Sequence, residues 1–404
     1  MAGTTRVGSC QAVHTYVGTI CFKTGPPQTV GAELEWLVAS ATDARATVPI
    51  HLLKALLDEA GPPPGGSAIT FEPGGQLELS SPPASGVAAC WQDLLCDLHH
   101  VERVLAGAGV VLLPTAIDPY RPPRRQLTHP RYKAMETYFD RRGPDGRIMM
   151  CSTAAVQVNL DAGSDPVDVA RRWHILNAVG PTLVAAFANS PLHAGRRTGW
   201  KSTRQAVWQR IDPRRTRRPA GSEPMTAWAE YALDAPVMVR RSASQRWLAD
   251  PGMTFREWLD GDGRPTLDDL AYHLSTLFPP VRPRGWFEVR YVDAQSTTNW
   301  PVPVAVLTAL VDDVQAGDRA LAATESVADA WLDAARHGLD HPGLARAAVH
   351  CFDAALDALR RQRVDPALLD LVAAFLHRYV ERRRCPADDE LSPNVLLSAK
   401  GVSR

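Results

Sequence analysis

The chain has 404 residues, 45% of them hydrophobic, and its 44 basic side chains equal its 44 acidic side chains in number. A net charge of zero excludes strong polyanion binding through bulk charge alone, so we expect no nucleic-acid partner. No apolar run approaches the roughly 20 residues of a membrane span, and the N-terminus lacks a signal-peptide pattern. We therefore expect a cytoplasmic protein that does not bind membranes.

Hydrophobic periodicity predicts strands and helices over the first 300 residues and helices alone thereafter. The predicted strands cover residues 31–36, 71–80, 110–114, 155–161 and 286–293. The predicted helices cover residues 48–60, 86–109, 166–189 with a break at Pro181, and four segments between 302 and 384. The segment 118–130 is too rich in proline for either element and is predicted to be a loop.

This order of elements predicts a single α+β domain over residues 1–404. We expect a sheet-based core at 15–300, a helical C-terminal region at 302–385 and a mobile tail at 386–404. The seven cysteines are scattered and include no CxxC pair, which argues against a disulfide framework or a structural zinc site.

Four of the predicted strands carry acidic, amide or arginine side chains on one face and apolar side chains on the other. In an extended chain, residues two apart point to the same face. The polar sets are Glu33 with Glu35, Gln76 with Glu78, Gln157 with Asn159, and Glu288 with Arg290, while Glu72 precedes a glycine-rich turn. For any one strand, the simplest interpretation is an antiparallel sheet with one face in water.

The five glutamates of these segments together favour a metal-binding face. Carboxylates that share a surface with few lysines raise one another's pKa and destabilise the fold. Mg²⁺ prefers oxygen ligands and commonly leaves room for substrate phosphates. We therefore predict a site for two or more Mg²⁺ ions and a phosphate-bearing substrate.

Seven motifs occur in an order that resembles the plant-type and actinobacterial glutamate–cysteine ligases. They are GAELEW, FEPGGQLELS, RYKAMETYF, AVQVNLD, FANSP, RQAVWQRIDPRRT and WFEVRYVD. The chain most resembles the actinobacterial enzymes assigned to ergothioneine biosynthesis. The resemblance implies a cupped antiparallel sheet with helices on its outer face, as in the glutamine-synthetase-like carboxylate–amine ligase fold.

The resemblance also implies a reaction and roles for individual residues. ATP would be consumed as a co-substrate while the γ-carboxyl of L-glutamate is joined to the amine of L-cysteine through γ-glutamyl phosphate. The implied Mg²⁺ ligands are Glu33, Glu35, Glu72, Glu78 and Glu288. The implied catalytic residues are Arg290, which stabilises the transferring phosphoryl group, and Glu35. The implied substrate-binding residues are Arg204, Arg215, Gln157 and Asn159.

Three alternatives stay open on the sequence. One is a related carboxylate–amine ligase with another amine acceptor, and another is a non-enzymatic module that binds an amino acid. The third is a two-metal phosphohydrolase, although the predicted strand faces carry none of the histidines that such sites commonly use. The sequence identifies neither the cysteine pocket nor the oligomeric state.

Overall fold

The computed structural model describes residues 5–241, 247–261 and 263–389. Within these ranges the chain forms ten strands and seventeen α-helices. The strands are β1 (Thr29–Ser40), β2 (Ala68–Phe71), β3 (Leu77–Ser80), β4 (Ala84–Ser85), β5 (Val110–Leu113), β6 (Ala155–Asp161), β7 (Leu192–His193), β8 (Arg196–Arg197), β9 (Val281–Pro283) and β10 (Trp286–Asp293).

Helices precede, separate and follow these strands in the sequence, and after β10 the described residues form helices and turns but no further strand. They are α1 (Cys10–Tyr16), α2 (Ile50–Ala60), α3 (Val87–Gly107), α4 (Pro130–Asp140), α5 (Asp145–Ser152), α6 (Pro166–Ala178), α7 (Gly180–Phe187), α8 (Thr203–Ile211), α9 (Pro213–Thr216), α10 (Pro224–Asp234), α11 (Phe255–Asp260), α12 (Leu267–Leu274), α13 (Pro301–Asp312), α14 (Val314–Thr324), α15 (Trp331–His337), α16 (Pro342–Arg361) and α17 (Pro366–Phe375). Among the described residues, none of these helices is both long and apolar enough to cross a membrane.

Eight strands form one antiparallel sheet with the main order β2-β3-β1-β6-β10-β9, and β4 and β5 also pair with β1. The four strands predicted to carry polar faces are therefore neighbours. Glu35 on β1 lies opposite Glu78 on β3, and Glu288 on β10 lies opposite Asn159 on β6. The predicted α+β class with an antiparallel sheet is confirmed.

The alternation along each strand separates the sheet into an apolar face and a polar face. Leu34, Val158 and Phe287 are fully buried in the main hydrophobic core. Helices α3, α7 and α13 contact β1, β10 and β6, and their apolar residues belong to the same core. Because the helices pack on the apolar face, the polar side chains of the opposite face are not needed for core packing and are available to bind a ligand.

Two elements differ from the expectation. The predicted strand at 71–80 is a hairpin of β2 and β3, because Gly75 adopts a φ of 95° in the turn between them. The helical segment predicted near 322–338 is divided, since α14 ends at Thr324 and α15 begins at Trp331. The break predicted at Pro181 is present, and this proline lies in the first turn of α7, where its missing N–H is tolerated.

The start of the segment predicted to be a mobile tail packs against the rest of the chain. Pro386–Asp388 forms a 3₁₀ turn, and the Ala387 amide donates to the Ala188 carbonyl at 2.9 Å. The prediction for residues 390–404 lies outside the described residues.

Candidate active site

The polar face of the sheet forms one wall of a cavity of about 260 Å³. Residues of α4, α5 and α8, together with the segment after α12, form the opposite wall. Eight of the ten predicted site residues line it: Glu33, Glu35, Glu72, Glu78, Gln157, Arg204, Glu288 and Arg290. Side chains predicted separately on different strands thus lie around one space.

Three of the predicted metal ligands form a compact carboxylate cluster. Glu35, Glu72 and Glu78 each offer an oxygen, and these oxygens lie within 4.8 Å of one another. Strand pairing places Glu35 opposite Glu78, and the turn between β2 and β3 adds Glu72. Glu35 also accepts hydrogen bonds from the Ala155 amide at 3.0 Å and from Gln157 Nε2 at 2.6 Å.

The pKa shifts in this cluster show that its negative charge is poorly compensated. Burial, followed by the charges of Glu72 and Glu78, raises the pKa of Glu35 well above its usual value. Burial and the neighbouring Glu78 raise the pKa of Glu72 to about 7. A divalent cation with oxygen ligands would relieve this repulsion, so the three carboxylates fit a Mg²⁺ ion.

Glu33 is a neighbour of the three-carboxylate cluster. Burial raises its pKa, and the charges of Glu288 and Glu78 raise it further. Asn159 Nδ2 donates to Glu33 Oε1 at 3.0 Å, and Asn159 Oδ1 accepts from the indole of Trp286 at 3.1 Å. Asn159, predicted to line the cup, is absent from the cavity lining and instead orients Glu33.

Glu288 differs from the other four glutamates because arginines already neutralise it. Its carboxylate accepts from Arg282 Nε at 2.5 Å, Arg284 Nη1 at 3.0 Å and Arg290 Nη1 at 3.0 Å. Burial alone would raise the pKa of Glu288, but Arg282 and Arg290 lower it well below its usual range. The β9–β10 hairpin produces this arrangement by pairing Arg282 with Glu288.

Arg204 and Arg290 both line the cavity, and each has a buried hydrogen-bond donor without a partner among the described residues. Arg204 is 3% exposed, and its Nη2 donates to the Arg290 carbonyl at 2.9 Å. Its Nη1 is 3.7 Å from Asp293 Oδ1 and, like Nε of Arg290, has no hydrogen-bond partner among the described residues. Buried, unpaired guanidinium donors favour an anionic ligand.

Arg215 does not line the cavity, which corrects the prediction that it contacts glutamate or phosphate. Its side chain is fully buried, and its Nη1 donates to the Thr276 carbonyl at 3.0 Å. Its Nη2 donates to the Pro236 carbonyl, and its guanidinium lies 4.7 Å from the centre of the Tyr138 ring. These contacts make Arg215 a structural residue that joins α9 to the segment after α12.

Several lining residues were missed by the sequence analysis. They are Arg131, Tyr132, Met135, Met149, Met150, Trp208, Phe278, Arg282 and Arg284. Arg131 and Tyr132 belong to the quoted motif RYKAMETYF, and Arg282 and Arg284 precede WFEVRYVD, so their closeness to the motifs was a usable signal. The aromatic and methionine side chains lie on helices and loops. The alternation of residues along the strands does not predict which helices and loops pack over the sheet.

Clustered carboxylates and arginines around one cavity on the polar face of an antiparallel sheet are the arrangement expected of an enzyme that uses ATP to activate a carboxylate. Comparison with known proteins specifies this class. Residues 29–392 match glutamate-cysteine ligase family 2 (GCS2), and the chain belongs to this family. The family and the enzyme class predicted from the motifs are confirmed.

Individual relatives agree with this membership. The chain is 41% identical over 391 residues to the glutamate–cysteine ligase EgtA of Mycobacterium tuberculosis, an alignment that covers 94% of this chain and 89% of the relative. It is also 41% identical over 408 residues to EgtA of Mycolicibacterium smegmatis, with coverage of 98% and 93%. The chloroplastic glutamate–cysteine ligase of Nicotiana tabacum is 33% identical over 246 residues, 57% of this chain and 46% of that protein.

Solved structures support the fold. The glutamate–cysteine ligase of Francisella tularensis, in complex with AMP, superposes with a TM-score of 0.58 at 14% identity and covers 90% of this chain and 84% of that chain. A bifunctional glutathione synthetase from Pasteurella multocida has a TM-score of 0.52 at 15% identity, with coverage of 94% and 51%. The predicted ligase fold is thus confirmed at the level of architecture.

Proposed function

We propose that this protein joins the γ-carboxyl of L-glutamate to the amine of L-cysteine, with γ-glutamyl phosphate as the intermediate. The products are γ-glutamylcysteine, ADP and phosphate, and the dipeptide feeds ergothioneine biosynthesis. The observation that carries the proposal is one cavity in which clustered carboxylates lie with two arginines whose buried donors have no hydrogen-bond partner among the described residues. Transfer of a phosphoryl group from ATP to a carboxylate needs groups that bind cations and groups that bind anions.

Glu35, Glu72 and Glu78 are the residues that would hold the first Mg²⁺ ion. They form no ion pair with a described lysine or arginine, and their oxygens lie close enough to share one cation. When bound, Mg²⁺ would neutralise part of the ATP phosphate charge and orient the phosphates. Glu33 and Glu288 are the proposed ligands of a second Mg²⁺ ion. To bind this ion, Glu288 would lose one of its contacts with arginine.

Arg204 and Arg290 are proposed to bind different groups of the substrates. The free Nη1 of Arg204 lies near the end of β10 and suits the fixed α-carboxylate of glutamate. Arg290 lies two residues from Glu288, and we assign it to the phosphoryl group during transfer. Gln157 holds this part of the site together, because its amide donates to Glu35 and accepts from Arg290.

The chemical sequence follows from these positions. The γ-carboxylate oxygen of glutamate attacks the γ-phosphorus of ATP, and ADP leaves. The cysteine amine then attacks the acyl carbon, phosphate leaves, and the nitrogen loses a proton. Because water would hydrolyse the acyl phosphate, the wall opposite the sheet must also exclude solvent from the cavity. Tyr132, Trp208 and Phe278 on that wall reduce access of solvent to the intermediate.

We also propose that the chain acts as one catalytic domain in the cytoplasm. The main hydrophobic core includes residues of β1 and β6 together with residues of α16 and α17. All seven cysteines lie in the described ranges, and none of them forms a disulfide. Free thiols are the state expected in a reducing compartment.

Product analysis with a panel of amino acids tests the proposed reaction. The protein, ATP, Mg²⁺ and glutamate should release ADP only when cysteine is also present, and mass spectrometry should detect γ-glutamylcysteine. Glu35→Gln should be inactive, whereas Glu59→Gln, on the exposed side of α2, should retain activity. Phosphate release without an amino acid would support a phosphohydrolase instead. A product of another mass would identify a different acceptor.

A further inference from the structure

The turn that carries Glu72 is held by two glutamine side chains. This turn, residues 72–76, connects β2 to β3 and is called the 72–76 turn below. Gln76 is 2% exposed, and its Oε1 accepts a hydrogen bond from the Gly74 amide at 3.0 Å. Its Nε2 donates to the carbonyls of Thr153 at 2.8 Å and Met150 at 3.3 Å. Gln76 therefore fastens the turn to the end of α5 and the start of β6.

Gln126 fastens the same turn from the proline-rich loop. Its Nε2 donates to the Gly74 carbonyl at 2.8 Å, and its Oε1 accepts from the Ile50 amide at 3.1 Å. Its backbone amide donates to the Pro73 carbonyl at 2.7 Å. The 72–76 turn is thus bonded on one side to the loop, which is itself bonded to the first residue of α2, and on the other side to α5.

The two glycines of the turn permit this close approach. A Cβ atom on Gly74 would lie 2.1 Å from the Cys151 carbonyl oxygen, and one on Gly75 would lie 2.3 Å from Gln126 Nε2. Both distances are shorter than any van der Waals contact. The backbone of the turn therefore packs directly against its two anchoring segments.

Such fastening has a physical purpose because Glu72 lies in an unfavourable position. Its carboxylate oxygen lies within 4.8 Å of carboxylate oxygens of Glu35 on β1 and Glu78 on β3, so repulsion between like charges tends to push the turn away from these strands. A glycine-rich turn without tertiary contacts could relax in that direction at little energetic cost. The hydrogen bonds from Gln76 and Gln126 oppose this movement.

We propose that Gln76 and Gln126 are positioning residues that hold Glu72 in place as the third carboxylate of a divalent-cation site. This inference rests on the proposed function for the nature of that site. Neither glutamine belongs to the carboxylate cluster, so both would act on a bound cation through Glu72. Their loss should therefore weaken cation binding more than it weakens the fold.

Calorimetric titration of Mn²⁺ into the nucleotide-free protein tests the proposal, since Mn²⁺ accepts the same oxygen ligands as Mg²⁺. Gln76→Ala and Gln126→Ala should each raise the Mn²⁺ Kd by about 10-fold or more, as is usual when a partner of a metal ligand is lost. In a Glu72→Gln background, Gln126→Ala should cause no further loss. Gln295→Ala is the matched control, because this buried amide also donates to backbone carbonyls, those of Phe187, Asp293 and Ala294, but lies outside the cavity.

Each outcome supports or overturns the role of the two glutamines. An unchanged Kd in Gln126→Ala, an additional loss in the Glu72→Gln background, or a wild type that does not bind Mn²⁺ would overturn it. If Gln76→Ala does not fold, the half-buried Gln126 decides the question alone. A wild type that binds Mn²⁺ through these residues but does not join glutamate to cysteine contradicts the proposed function and leaves the positioning role supported.

Discussion

Replacement of Arg290 by lysine tests whether this arginine acts on the phosphoryl group. Its Nη1 donates to Glu288 at 3.0 Å and to Gln157, and its guanidinium lies 5.7 Å from the ring centre of Trp208. Lysine keeps the positive charge but cannot reproduce the planar fork or the stacking on the ring. The fixed donors that face the developing charge would be lost.

The structure indicates that Arg290→Lys affects catalysis more than it affects the stability of the fold. Glu288 keeps its contacts with Arg282 and Arg284 when Arg290 is changed, so no buried carboxylate is left unpaired. We therefore expect a stability loss of about 1 kcal/mol, the scale of a single hydrogen bond. The kcat should fall by about 10²-fold, the scale for a lost preorganised contact, which corresponds to about 2.7 kcal/mol of transition-state stabilisation.

Steady-state kinetics with glutamate, cysteine and ATP varied separately measures this effect. Arg290→Lys should lower kcat with small changes in KM, whereas Arg204→Lys should chiefly raise the KM for glutamate. Arg197→Lys, on the exposed β8, serves as the control and should resemble the wild type. If Arg290→Lys changes only the glutamate KM, the roles of the two arginines are exchanged and the reasoning from strand position is refuted.

Three further predictions concern charge and burial. Glu35→Gln should abolish ligation without lowering the melting temperature, because it relieves repulsion among buried carboxylates; a lower melting temperature would contradict this. Arg215→Lys should lower the melting temperature and leave the glutamate KM unchanged, since Arg215 bonds only to the protein interior. Burial, and then the charge of Arg215, lower the pKa of His273 from 6.5 to about 3. Between these two pH values the unfolded state binds more protons than the folded state. The free energy of unfolding should therefore fall as the pH decreases below 6.5. Urea unfolding at several pH values should show a weaker dependence in His273→Phe, which can still stack on Phe255.

The alternation of residues in the sequence identified the correct face of each polar strand. Glu33 and Glu35 share the polar face, and Leu34 between them is fully buried on the other. Alternation could not give the register between strands, and register determines which carboxylates meet. Glu35 lies opposite Glu78 only because β1 and β3 pair at that offset.

The neutralisation of Glu288 and the burial of Arg215 could not be predicted for related reasons. Arg282 reaches Glu288 from β9, a three-residue strand too short to leave a periodic pattern. Arg204 and Arg215 belong to one motif, yet the chain turns at Asp212 between α8 and α9, and Arg215 is directed into the interior. Residues close in sequence lie at the same site only where the backbone between them does not change direction.

The charges of the cavity are divided along the sheet, and this division bears on how ATP and metal would bind. The uncompensated carboxylates lie on β1, β3 and the 72–76 turn, whereas Arg282 and Arg290 lie on β9 and β10. Without a cation, the ATP phosphates would be attracted to the arginines and repelled by the carboxylates. A divalent cation at the carboxylates would reduce the negative charge of that end and offer its own positive charge to the phosphates, so metal and nucleotide should each raise the affinity for the other by the same factor. The carboxylate end can therefore accept a phosphate only through a bound cation, whereas the arginine end attracts the phosphates directly.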